Sequence, residues 1–161
     1  MKTLIVVDMQ PDFEASQEPK VLSAVRKEID LAIKNSWAII FLEYGRYHGK
    51  HQSTDKRLLS LVKRYDKVFT GIKWVNNGSD VVKKLCSERA DTPNKIPEHF
   101  RVCGVNTAYC VLETVLGLKG DFPAAKIEVV RKACNDWNHS RKPWLNYEVN
   151  GFQRKGQLMV A

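Results

Sequence analysis

Short apolar runs alternate with longer amphipathic segments along the whole chain, and that alternation predicts the fold. Residues 3–8 are rich in β-branched side chains and predict a strand. From 19 to 35 the apolar positions Val21, Leu22, Val25, Ile29 and Ile33 recur at helical spacing. A second buried strand is predicted at 38–43, then a helix over 54–62 with Leu58, Leu59 and Val62 facing inward. Residues 67–70 predict a brief third strand, and Ser79 caps a helix carrying Val81, Val82 and Leu85. The polar stretch 87–98, with two prolines, predicts a surface loop. A fourth strand follows at 100–104, a mostly apolar helix at 107–118 and a fifth strand at 125–131. A weaker helix at 141–148 and a sixth strand at 157–160, of unassigned place in the sheet, complete the pattern.

Strands alternating with helices predict an α/β fold, because parallel strands need crossover connections. The expected architecture is a three-layer sandwich: a mostly parallel, doubly wound sheet of five or six strands with helices on both faces. At 161 residues, with no repeat or linker, the chain predicts a single domain over 1–161. In such sheets ligands bind beyond the carboxyl ends of the strands, where the strand order reverses.

Composition narrows the function classes. No apolar run approaches the roughly 20 residues of a membrane span. The chain enters its first strand directly, so a secretory leader is not expected and a cytoplasmic location is. The four cysteines, Cys86, Cys103, Cys110 and Cys134, form no CxxC unit and are expected as free thiols. The formal charge of +8 raises the question of nucleic acid, yet the lysines and arginines are dispersed over predicted helix surfaces. A solvated surface is the expectation, with nucleic acid unlikely as a partner and no membrane.

Three strand-end residues carry candidate chemistry. Asp8 follows four aliphatic residues, a setting that desolvates a carboxylate and makes it a better base; a turn-capping carboxylate is the alternative. Lys73 follows the third strand among apolar neighbours, where it pairs with a buried carboxylate or, alternatively, is exposed. Cys110 lies where a strand passes through a glycine-containing turn into a helix. With Thr107 as N-cap, Cys110 falls in the first helical turn, where dipole and free amides lower a thiol pKa. A core cysteine is the plainer alternative.

The run Val7-Asp8-Met9-Gln10, the lysine after strand three and Gly104-Val105-x-Thr107-x-x-Cys110-Val111 resemble the isochorismatase-like cysteine hydrolases, relatives of the nicotinamidases, N-carbamoylsarcosine amidases and ureidoacrylate amidases. The resemblance spans residues 2 to about 134. It implies a catalytic triad of Asp8, Lys73 and Cys110, and a cis peptide between Val105 and Asn106 that helps form an oxyanion hole. It also implies a small-molecule amide substrate, a thioester intermediate and a homo-oligomer, dimer or tetramer; for this chain no cofactor is expected. Phe13, Tyr44, Arg46, Tyr47 and Trp74 are expected as pocket walls, with Arg46 either gripping a substrate carboxylate or lying exposed.

The chain departs from the metal-binding members. In place of an Asp-x-His pair it has His48 and His51 in a glycine-containing stretch, and no metal site is expected. Trp137 and Trp144 are candidates to cover the pocket or a subunit interface. The shortness of the chain leaves a second reading: a catalytically weak relative that serves as a binding or regulatory module through its basic surface.

Overall fold

The structure is a computed structural model that describes residues 2–46, 50–88, 97–136 and 143–161. Its frame is a seven-stranded sheet. The strands are β1 (Lys2–Val7), β2 (Ala38–Tyr44), β3 (Val68–Lys73), β4 (His99–Val105), β5 (Lys126–Asn135), β6 (Gln153–Lys155) and β7 (Leu158–Val160). The order across the sheet is β3-β2-β1-β4-β5-β7-β6. The first five strands are parallel, whereas β7 runs antiparallel to β5 and pairs with β6 in a hairpin. The mostly parallel, doubly wound sheet expected from the sequence is present. The predicted sixth strand is β7; β6 was not expected, since its three residues, Gln153, Arg154 and Lys155, are polar and exposed.

Among the described residues five α-helices connect the strands: α1 (Pro19–Lys34), α2 (Lys56–Leu59), α3 (Ser79–Glu88), α4 (Leu112–Asp121) and α5 (Pro143–Val149). The sequence predicts one helix over 54–62. The observed helix starts later because Asp55 is its N-cap, accepting a hydrogen bond from the Arg57 amide, and it ends in a 3₁₀ turn, Ser60–Val62.

Alternating side chains of the central strands build two cores. Leu4, Val6, Ile39 and Phe41 pack with Val25 and Ile29 of α1 on one face. Ile5, Val7, Ile40, Leu42 and Val102 pack with Val82 of α3 and Val115 and Leu118 of α4 on the other. Each such side chain contributes roughly 1.5–3 kcal/mol when fully buried. The central strands are therefore apolar on both faces, which is why they read as unbroken hydrophobic runs.

The chain goes from β1 to β2 on one side and from β3 to β4 on the other, so the strand order reverses between the adjacent strands β1 and β4. Both are fixed in register, with Val7 opposite Gly104. Asp8 leaves the first and the segment leading to Cys110 leaves the second.

Candidate active site

Gly104 makes the close approach of β4 to β1 possible. Its φ is +132°, and a Cβ there would lie 2.1 Å from the Val7 carbonyl oxygen. Two residues later Asn106 adopts a left-handed conformation, φ 62° and ψ 55°. The Val105–Asn106 bond is not cis, contrary to the expectation from the resemblance; no cis peptide occurs among the described residues. The left-handed residue turns the chain into the helix instead.

The turn continues as a π-helical segment, Thr107–Val111, that leads into α4. Thr107 is not the N-cap that the sequence predicts. It opens the segment, and its hydroxyl donates to the Asn135 carbonyl at 2.8 Å. Asp136 takes the capping role, accepting from the Ala108 amide at 3.0 Å. Tyr147 of α5, fully buried, donates to the Thr107 carbonyl at 2.7 Å. Cys110 therefore sits on a wide turn held from β5 and from α5, a placement in line with the functional sites where π turns concentrate.

Asp8, Lys73 and Cys110 converge. Lys73 Nζ lies 3.1 Å from Asp8 Oδ2, and both side chains are essentially sealed from solvent. Lys73 also donates to the Val75 carbonyl at 3.3 Å and lies 4.5 Å from the centre of the Tyr44 ring. Burial pushes the Asp8 carboxyl above its ordinary value, against the pull of the Lys73 charge and of hydrogen bonding. Asp8 Oδ1 is buried and has no partner at ordinary hydrogen-bond geometry among the described residues.

Cys110 differs from the sequence expectation in its acidity. Instead of an acidified thiol, burial and then the Asp8 carboxylate push its pKa up to about 12, with Lys73 opposing. The direction is set by burial of the sulfur beside a negative charge. The resting sulfur is a thiol.

Two carboxamides flank it. The thiol is placed to donate to Asn76 Oδ1 at 3.6 Å, and Asn106 Nδ2 approaches the sulfur at 3.9 Å. The Asn76 loop is fastened to α4: Asn76 Nδ2 donates to Glu113 at 3.0 Å, the Thr114 hydroxyl donates to the Asn76 carbonyl at 3.4 Å, and the Gly78 amide donates to that hydroxyl at 3.0 Å. Gly117 of α4 allows the approach, since a Cβ there would lie 2.3 Å from Ser79 Oγ.

A cavity of about 280 Å³ opens over the sulfur, lined by Phe13, Tyr44, Asn76, Asn106, Tyr109 and Cys110. Phe13 and Tyr44, both expected as pocket walls, meet edge to face with ring centres 6.4 Å apart. Gln10 braces this wall, accepting from the Tyr44 amide at 2.7 Å and donating to the Tyr44 and Gln52 carbonyls. Arg46 is turned to Asp12 in an ion pair, not to the cavity. Trp74 packs against Gly45, is half exposed and is absent from the cavity lining. Tyr47, His48 and Trp137 lie outside the described residues. His51 pairs with Glu43 at 2.7 Å, and no three-residue cluster of metal-ligating side chains occurs among the described residues. Among these no helix is long and apolar enough to cross a membrane.

Sequence reasoning missed Asn76 and Tyr109. Asn76 stands in Asn-Asn-Gly-Ser, which reads only as a turn. Its place beside Cys110 depends on the packing of α3 against α4.

The architecture is found in solved structures. A nicotinamidase from Staphylococcus aureus superposes with a TM-score of 0.74 at 21% identity, over 93% of this chain and 94% of that one. An isochorismatase from Pseudomonas putida gives 0.65 at 16% identity, over 83% and 70% of the two chains. The fold is isochorismatase-like. A ribonuclease, MAR1 of Caenorhabditis elegans, shares the isochorismatase-like fold of this chain with a TM-score of 0.72 at 20% identity, over 93% of this chain and 73% of that one. No family model and no curated protein sequence matches the chain.

Proposed function

We propose that the chain is a cysteine hydrolase that cleaves the C–N bond of a small, uncharged amide or carbamoyl compound. The observation that carries this reading is the buried Asp8–Lys73 pair beside a thiol that forms part of a cavity wall. A buried carboxylate oxygen with no partner at ordinary geometry among the described residues is costly, and a catalytic task accounts for its being kept. Taking up the thiol proton is such a task.

With a thiol pKa pushed up to about 12, a free thiolate is scarce at neutral pH. Deprotonation is then coupled to attack: Asp8 Oδ1 takes the proton as the sulfur adds to the carbonyl carbon. Lys73 holds Asp8 through Oδ2 and offsets its charge. The amides of Ala108, Tyr109 and Val111 are already occupied, by Asp136 and by the Asn106 carbonyl. The Cys110 amide and the Asn106 carboxamide are the donors assigned to the oxyanion. Collapse expels the amine, which takes the proton from Asp8, and water then hydrolyses the thioester.

The cavity favours a neutral substrate. Among the described residues its walls are aromatic rings and carboxamides, and the Arg46 guanidinium is tied to Asp12. The resemblance to nicotinamidases and N-carbamoylsarcosine amidases adds a homo-oligomer, and a cytoplasmic location without a cofactor completes the proposal. The deciding experiment is turnover of a panel of small primary amides and carbamoyl compounds by the wild type and by Cys110→Ala, Asp8→Asn and Lys73→Met. Release of ammonia by the wild type alone is expected.

A second reading rests on a different surface. A groove of about 780 Å³ runs between α1 and the outer strands, with Lys20, Lys27 and Lys132 around an apolar floor of Ala24, Val130 and Leu158. It suits a binding module for an acidic partner. That reading leads if no amide is turned over and a polyanion binds in a salt-dependent way.

A further inference from the structure

We infer that Asn76 selects substrates whose scissile bond carries an N–H, a primary amide, carbamoyl or urea group, over the corresponding ester; this rests on Cys110 being the nucleophile. Three observations lead to it. First, Asn76 lines the cavity and presents Oδ1 to the Cys110 sulfur at 3.6 Å. Second, the orientation of the carboxamide is set from outside the cavity: Nδ2 donates to Glu113 Oε1, an acceptor only, so the carbonyl oxygen is the end that faces the sulfur. Third, the loop cannot easily turn away, because Thr114 holds the Asn76 carbonyl and the Gly78 amide together.

In the resting state Oδ1 accepts from the thiol. Once that proton has passed to Asp8 and the S–C bond has formed, the sulfur has nothing to donate and Oδ1 is left beside the new tetrahedral centre. An N–H of the departing nitrogen replaces the S–H as its donor. The C–N bond then breaks, the nitrogen takes the proton held by Asp8, and ammonia leaves. An ester oxygen has no hydrogen to offer and faces the Asn76 lone pairs instead, a mismatch of the kind that gives strong discrimination. Glu113 acts through Asn76 as a positioning residue.

The test uses matched pairs, benzamide with methyl benzoate and acetamide with methyl acetate, assayed with the wild type, Asn76→Ala, Glu113→Ala and Glu113→Gln. Asn76→Ala is expected to lower the amide-to-ester ratio of kcat/KM at least tenfold. Glu113→Ala lowers it in the same direction, and Glu113→Gln, which keeps an acceptor oxygen, restores it. The pH profile of Cys110 alkylation by iodoacetamide gives a readout without turnover: loss of the S–H acceptor in Asn76→Ala moves the profile to lower pH. Equal losses on amide and ester, or a wild type that prefers the ester, overturn the inference and leave the hydrolase reading standing. If 4-nitrophenyl acetate fails to acylate Cys110 and neither pair is cleaved, the hydrolase reading falls and the inference falls with it.

Discussion

Lys73 and Asp8, separated by 65 positions in sequence, form an ion pair at 3.1 Å with side-chain exposures of 1% and 0%. Two charges so far from water persist only because each satisfies the other, and removing either leaves its partner stranded. Lys73→Met is expected to lose about 3–5 kcal/mol of stability, read by chemical denaturation. Asp8→Asn with Lys73→Met together should recover much of that loss while remaining inactive. The raised Asp8 carboxyl sets the sign of the acid-side dependence. The folded chain holds that proton more tightly than the unfolded one, so this contribution is full below the ordinary carboxylate range and declines as pH rises through the raised value.

Alkylation and turnover should move in opposite directions in Asp8→Asn. The Asp8 charge is one reason the Cys110 thiol is pushed up to about 12. Removing it lowers the thiol pKa, so Cys110 reacts faster with iodoacetamide at pH 8 while amide turnover falls by two orders of magnitude or so, within the usual range for loss of a general base. Peptide mass spectrometry, with half-exposed Cys86 as internal reference, reads the first effect; ammonia release reads the second.

The alkaline limb of stability should be steep. Burial pushes the Cys103 thiol well above its ordinary value, and Cys110 to about 12. Folded protein keeps these protons when the unfolded chain has lost them, so stability is lost as pH rises from about 9 towards 12. Each thiol contributes a slope of about 1.4 kcal/mol per pH unit in that window. Urea titrations at pH 8, 9 and 10 check it, and Cys103→Ala should flatten the slope while costing some packing.

Gly104→Ala is expected to be severely destabilised, because its Cβ would lie 2.1 Å from the Val7 carbonyl oxygen and 2.6 Å from the Val7 amide nitrogen. A drop in soluble yield or a melting temperature lower by ten degrees or more is expected. No flexible side chain stands in the way to yield; the obstacle is the backbone of the central strand.

Tyr147→Phe removes the buried hydrogen bond to the Thr107 carbonyl without changing the ring. It should cost about 1–3 kcal/mol, since the carbonyl is left unsatisfied. Amide turnover should fall further than stability predicts, because that carbonyl belongs to the turn bearing Cys110. Denaturation and steady-state kinetics on the same preparation separate the two.

The sequence was most legible where burial makes a simple pattern. The runs around Ile5, Ile40 and Val102 are apolar on both faces of the sheet and could be read as central strands directly. Asp8 and Cys110 were legible because each follows such a strand, whereas Lys73 is the last residue of the edge strand β3, which runs longer than the brief strand the sequence predicts. What sequence could not supply was the sign of the Cys110 shift, which depends on how deeply a neighbouring carboxylate is buried. Nor could it supply Asn76, whose place beside the sulfur is set by α4, or the Arg46–Asp12 pairing across a loop. The β6–β7 hairpin was half legible: Leu158 and Met159 pattern as strand, whereas the exposed partner does not.

Asp8 has a φ of 52°. Along β1 the side chains alternate, with Leu4 and Val6 towards α1 and Ile5 and Val7 towards α4. Regular extension would send position 8 to the α1 side. Lys73 shares its parity on β3 with Phe69, which packs in the opposite core. The left-handed bend is what carries the carboxylate across the sheet plane to meet it. Position 8 therefore has two requirements at once, an acid and a backbone at ease with positive φ, and among carboxylates only aspartate suits both. Glutamate, the nearest chemical substitute, would have the charge and lose the handedness.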